Sequence, residues 1–125
     1  MRTTVIAAFA AAFSFQPLNA QTKDLYVFIE PVLLRDLDNV YLTNAIKAVF
    51  SSQPFSQLAK PGNDVLTITE TDKPNYHNGA VEFSVSFFRN GSHLGDSIET
   101  CQTSKVSDCA DQLAADAKDA AKITD

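Results

Sequence analysis

The side chains suited to bond-making chemistry in this 125-residue chain are few: two cysteines, two histidines and a scatter of carboxylates. Cys101 and Cys109 stand eight positions apart. A dithiol redox enzyme uses Cys-x-x-Cys in a βαβ setting, and a structural zinc site uses four ligands. The spacing here suits neither, and only His77 and His93 are available to supplement the thiols. In an exported chain an even cysteine count points to a disulfide. It would latch the end of a strand to the first turns of a final helix. Closing so short a loop stabilises by about 2–3 kcal/mol in the chain-entropy estimate.

The stretch from Asp72 to Gly79 (Asp-Lys-Pro-Asn-Tyr-His-Asn-Gly) concentrates polar and aromatic groups. His77 as a base and Tyr76 as a hydrogen-bond donor would serve a small enzyme. The same residues also read as a loop between two strands, its proline, asparagines and glycine setting turn geometry or a binding edge. A metal held by His77 and His93 would need a carboxylate such as Asp72 or Asp96, and no ligand spacing brings these together. Glu70 and Glu82, on adjacent strands, are the candidates for a glycosidase-type acid pair. The sequence contains no Gly-x-Ser-x-Gly elbow, phosphate-cradling loop or His-Glu-x-x-His. We therefore expect no catalytic constellation, no cofactor and no metal site. Asn90-Gly91-Ser92 matches a glycosylation acceptor, and a hairpin turn accounts for the same three residues.

The elements that position these groups follow from pattern. Residues 1–20 carry Arg2, an apolar run from Val5 to Phe15 and a small residue at Ala20, the three parts of a cleaved secretory signal. Pro17 cuts the run short of the roughly 20 residues that a membrane span needs. Removing it takes Arg2 from ten basic residues and leaves nine against fifteen acidic, a net charge of −6. Such a surface disfavours nucleic acid and anionic lipid and permits a protein partner with a basic patch. Residues 21–125, 45% apolar over the whole chain and without a low-complexity linker, are expected to form one domain.

Leu25–Ile29 is a short apolar run that reads as a covered strand. Asp36 and Asp38 are placed to cap a helix bearing Leu42, Ala45, Ile46, Val49 and Phe50 on one face. Val65–Thr69 is a second strand. In the third, Val81, Phe83, Val85 and Phe87 alternate with polar residues, and the Asn90-Gly91 turn returns the chain along a fourth from about Ser92 to Cys101. Thr103 or Ser104 can cap a last helix with Val106, Cys109, Ala110, Leu113, Ala117 and Ala120 inward. The expected fold is α+β, a two-layer β-α-β-β-β-α sandwich with a four-stranded mixed sheet and two helices on one face.

Phe88 breaks the alternation by placing an aromatic on the wet side of its strand, and Tyr26 or Phe28 must face the same way. These are candidates for a partner patch, unless the connection around Phe55 and Leu58 covers them. With Tyr76 and His77 they complete the set of partner-binding candidates.

The succession Leu25-Tyr-Val-Phe-Ile-Glu-Pro, a helix, Asp64-Val-Leu-Thr-Ile-Thr and Val81-Glu-Phe-Ser-Val-Ser-Phe-Phe-Arg-Asn-Gly-Ser-His-Leu-Gly resembles the small periplasmic βαβββα modules of the bacterial envelope. Examples are the amino-terminal domain of the Tol-Pal propeller protein and the activators of penicillin-binding proteins. The resemblance implies a periplasmic protein-binding accessory and transfers no site residues. The expectation is a periplasmic or secreted domain that binds another protein. The alternatives are an inhibitor or immunity-type protein that presents the Asp72–Gly79 loop to a hydrolase or toxin, and a small enzyme built on His77.

Overall fold

A computed structural model describes residues 24–122, so the proposed signal segment lies outside the described residues. The elements run β1 (Leu25–Ile29), α1 (Pro31–Leu37), α2 (Val40–Phe50), β2 (Phe55–Gln57), β3 (Leu66–His77), β4 (Ala80–Arg89), β5 (Ser92–Gln102) and α3 (Val106–Ala120). They form one five-stranded mixed sheet in the order β2-β1-β3-β4-β5. β1 is parallel to both β2 and β3, whereas β3, β4 and β5 pair antiparallel through two hairpins.

The α+β class and the order of the main elements agree with the pattern-based expectation; the counts do not. The fifth strand is β2, whose three residues lie parallel to the first half of β1, Leu25 opposite Phe55. The third helix is α1. Its Pro31 occupies the first helical position, where a missing N–H costs nothing. Leu33 and Leu37, four residues apart on one face, are fully buried. Asp38 then adopts a left-handed conformation that ends α1. The cap of α2 is Asn39, whose side chain accepts the Leu42 N–H at 3.0 Å, rather than Asp36 or Asp38. Likewise no side chain caps α3. Lys105 occupies that position, and the Thr103 hydroxyl donates instead to the Gly79 carbonyl.

The expected loop from Asp72 to Gly79 is also corrected. β3 continues through it to His77, and only Asn78-Gly79 turns, both at positive φ as a two-residue hairpin demands. Register shifts at Glu70/Asp72 and Asp72/Asn75 take up Lys73 and Pro74. Proline is tolerated there because β1 pairs only with Leu66–Ile68, which leaves that side of β3 without a ladder. At the opposite end Asn90-Gly91 makes the second such turn, as expected.

Leu25, Val27, Ile29, Leu66, Ile68, Val81, Phe83, Val85 and Phe87 form one face of the sheet. They share a single core with Leu33, Leu37, Leu42, Ile46, Phe50, Cys109, Leu113 and Ala117 of the helices. Phe55 belongs to this core, its ring 4.6 Å from that of Phe50. The helical stripes are those expected from 3.6-residue periodicity, and the Cys101–Cys109 disulfide pins α3 to β5 with 5.4 Å between Cα atoms.

Candidate partner-binding face

With the helices on one side, the alternation of each strand assigns every second residue to the other side. Tyr26 and Phe28 project there from β1, Thr67 and Thr69 from β3, Ser84, Ser86 and Phe88 from β4, and His93, Asp96 and Ile98 from β5. Strand register aligns them in rows. Phe28 lies opposite Thr67, Thr67 opposite Phe88, and Phe88 opposite His93. The strands that carry the two phenylalanines are thus two strand spacings apart, about 10 Å. Tyr26, 46% exposed, extends the aromatic track along β1, and Ile98, 61% exposed, provides an apolar group on β5. Because Phe55 turns into the helix-side core, that residue does not cover the track.

The next row is polar. The Ser86 hydroxyl donates to Asp96 Oδ1 at 2.5 Å, and His93 Nε2 meets the same oxygen at 2.8 Å. These two contacts, the serine's first, hold the Asp96 carboxyl below its ordinary pKa, so it carries its charge. The His93 ring is tilted against Phe88 with centroids 5.2 Å apart. Serine, aspartate and histidine together invite comparison with a hydrolase triad, but the order of contacts is wrong. The carboxylate sits between the other two, and the hydroxyl donates to it rather than to imidazole, so no base withdraws the serine proton. A bulge between Phe87 and Phe88 makes this local arrangement. It brings His93 rather than Leu94 opposite Phe88, a contact that sequence periodicity does not disclose.

The remaining candidates are dispersed. The Tyr76 hydroxyl donates to the Leu37 carbonyl at 2.5 Å, tying the β3 end to the α1–α2 junction. Burial raises the Tyr76 pKa. His77 is exposed beside the Asn78-Gly79 turn, at the opposite end of β4 from His93, so the two histidines share no site. Among the described residues no group of three His, Cys, Asp or Glu side chains is arranged to hold a metal ion. Glu70 lies opposite Val85 on the helix side, while Glu82 lies opposite Asn75 on the other face. They do not form an acid pair.

Among the described residues two acid pairs do occur, each between a strand and a helix. Glu70 meets Asp36 of α1, and its pKa is raised by burial first and by Asp36 second. Glu99, on β5 opposite Phe83, is completely buried and meets Asp116 of α3. Desolvation and Asp116 push its pKa up to about 7 against the opposing effect of the Ser97 hydroxyl, which donates to Glu99 Oε2 at 2.5 Å. Glycosidase carboxyls flank a sugar from opposite sides with room for it between them, whereas these acids face each other across a strand–helix packing, so neither pair suits that chemistry. The parity of β5 carried the signal for the second: Glu99 shares the inward face of Cys101.

Comparison with family models, curated proteins and solved structures gives no match.

Proposed function

We propose that the chain is an exported protein-binding domain whose helix-free sheet face docks a protein with a basic surface. The observation that carries this reading is the aromatic track of Tyr26, Phe28 and Phe88, with exposed Ile98, on the sheet face that carries no helix among the described residues. Aromatic side chains offer large contact area at low entropic cost and are enriched where interfaces concentrate their energy. The Asp96 carboxylate beside them, fixed by Ser86 and His93, supplies an oriented anionic acceptor for a lysine or arginine. The acidic net charge adds steering toward such a partner.

Export is supported by the signal-like segment 1–20 and by the disulfide, which persists in oxidising compartments. The resemblance to periplasmic βαβββα modules agrees with a periplasmic accessory. The inhibitor reading relied on a projecting Asp72–Gly79 loop, and that segment is paired strand down to a two-residue turn. The enzyme reading relied on His77 with Tyr76, whose hydroxyl is engaged by Leu37.

The test is a Phe88→Lys substitution assayed by crosslinking in the exporting host, with circular dichroism as a control on folding. The substitution should abolish capture of the partner that the unsubstituted protein retains. Undiminished capture by the folded variant would remove the track from the interface.

A further inference from the structure

The two halves of α3 are held to β5 by different means. The amino-terminal half is pinned by the Cys101–Cys109 bond and by the Gln112 amide. That amide donates to the Thr100 carbonyl at 2.9 Å and accepts the Thr100 N–H at 3.1 Å. Beyond Gln112 the inward residues are mostly small, with Leu113 followed by Ala114, Ala117 and Ala120. A cavity of about 310 Å³ opens between this end of the helix and β5, lined by Phe87, Leu94, Ser97, Asp116, Asp119 and others. On β5 the fully buried Glu99 carboxyl faces Asp116, which lines the cavity, and Glu99 Oε1 has no hydrogen-bond partner.

A buried carboxyl with one oxygen unpartnered and a second carboxyl facing it is tolerated far better with its proton on than off. The charged group that faces Glu99 from α3 is Asp116, with Asp119 further along on the cavity wall. β4 presents neutral Phe83 opposite it, and its one basic residue, Arg89, reaches instead toward the Ala121 carbonyl at 3.5 Å. On β5 itself the neighbours on the same face are Ser97 and the bonded Cys101. Among the described residues no ion pair involves Glu99. When the Glu99 proton leaves to water, a fully buried negative charge faces half-buried Asp116 with no cation to offset it, and moving the helix end away from β5 lets water reach it.

We propose that the part of α3 beyond Gln112 is a proton-controlled flap, closed on β5 while the buried Glu99 carboxyl keeps its proton and released when it loses it, with the disulfide and Gln112 as its fixed hinge. Release uncovers Phe87, Leu94 and Leu113, so the device governs an apolar surface on the helix side, separate from the aromatic track.

The sign follows from linkage. In the open form Glu99 titrates near the ordinary carboxyl value, and in the closed form near 7. Opening therefore grows by up to about tenfold per pH unit between those values and levels off above them. Amide hydrogen exchange on the disulfide-bonded protein, corrected for intrinsic rates, reads this directly. Between pH 5 and 8 the opening of residues 113–121 should rise by tens-fold, while Val106–Gln112 stay unchanged. Glu99→Gln keeps a hydrogen-bonding group that cannot ionise, and should flatten the response. A parallel carbon-13 titration of Glu99 in the unsubstituted protein should show its midpoint near 7, which keeps the test decisive if the variant fails to fold. Exchange of 113–121 that tracks 106–112 at every pH, or a Glu99 midpoint at the ordinary carboxyl value, would overturn the flap.

Discussion

At the residue scale, half-buried polar contacts tie elements together in ways that composition does not foretell. The Tyr76 hydroxyl satisfies the Leu37 carbonyl where α1 ends and α2 begins, a position where helix carbonyls otherwise lack partners. Tyr76→Phe should lower the stability by about 1 kcal/mol, seen as a smaller midpoint in urea with an unchanged slope. Its ring remains in place, so a larger loss would mean that the side chain carries more than this bond. Asn39 caps α2 in the same region, and Asn39→Ala should cost about 1 kcal/mol by the same measurement. Tyr76 and Asn39 had different visibility in the sequence. The Leu42 stripe signals a cap before it, but the charged side chains of Asp36 and Asp38 draw the eye three residues or one residue ahead of Asn39. The long-range partner of Tyr76, 39 positions away, has no sequence signal.

At the element scale, the two hairpins carry the sheet. Asn90-Gly91 is legible because strong alternation leads directly into it. Asn78-Gly79 is the same dipeptide, yet Asp72, Lys73, Pro74 and Asn75 before it read as loop. The sheet accommodates them as bulges only because β1 stops at Ile29, and that is a tertiary fact. Gly79 has φ +75, and a Cβ there would meet nothing closer than Gln102 Oε1 at 3.9 Å. Gly79→Ala should therefore destabilise through backbone strain alone, by about 1 kcal/mol. The long edge strand β5 has its own device. The Gln112 amide occupies both backbone groups of Thr100 as a neighbouring strand would. Gln112→Ala should leave that edge open and raise self-association in sedimentation at high concentration, as unprotected edges do. Short β2 and the two-turn α1 were beyond sequence reading for a simple reason: three and seven residues are too few for periodicity to declare itself.

At the scale of the whole molecule, the covalent latch and the two acid pairs set the response to redox and to pH. Reduction of Cys101–Cys109 should cost about 2–3 kcal/mol from loop entropy, measurable as the difference between denaturation curves with and without reductant. Glu70 and Glu99 both have raised pKa values in the folded protein. Their favourable state is the protonated one, complete below the unfolded-state value and lost as pH rises through the folded value. Between the ordinary carboxyl range and about 7 Glu99 should make the protein less stable with rising pH, with Glu70 acting in the same direction, opposite to the usual acid-denaturation trend. The α+β layering was legible throughout, since alternation in β4 and the stripes of α2 and α3 all point to one core. The division of the opposite face into an aromatic row and a Ser86–Asp96–His93 row depends on register across β1, β3, β4 and β5, and only the Phe88 anomaly hinted at it.

The most direct test of the docking face is a photocrosslinker scan in the exporting host. The reactive group is placed in turn at Thr69, Ser84 and Ile98 on the helix-free side and at Tyr41 and Lys47 on α2. Crosslinks to one basic protein from the first three positions and from neither helical position are the predicted result. Crosslinks confined to Tyr41 and Lys47, or none from the sheet face, would contradict it.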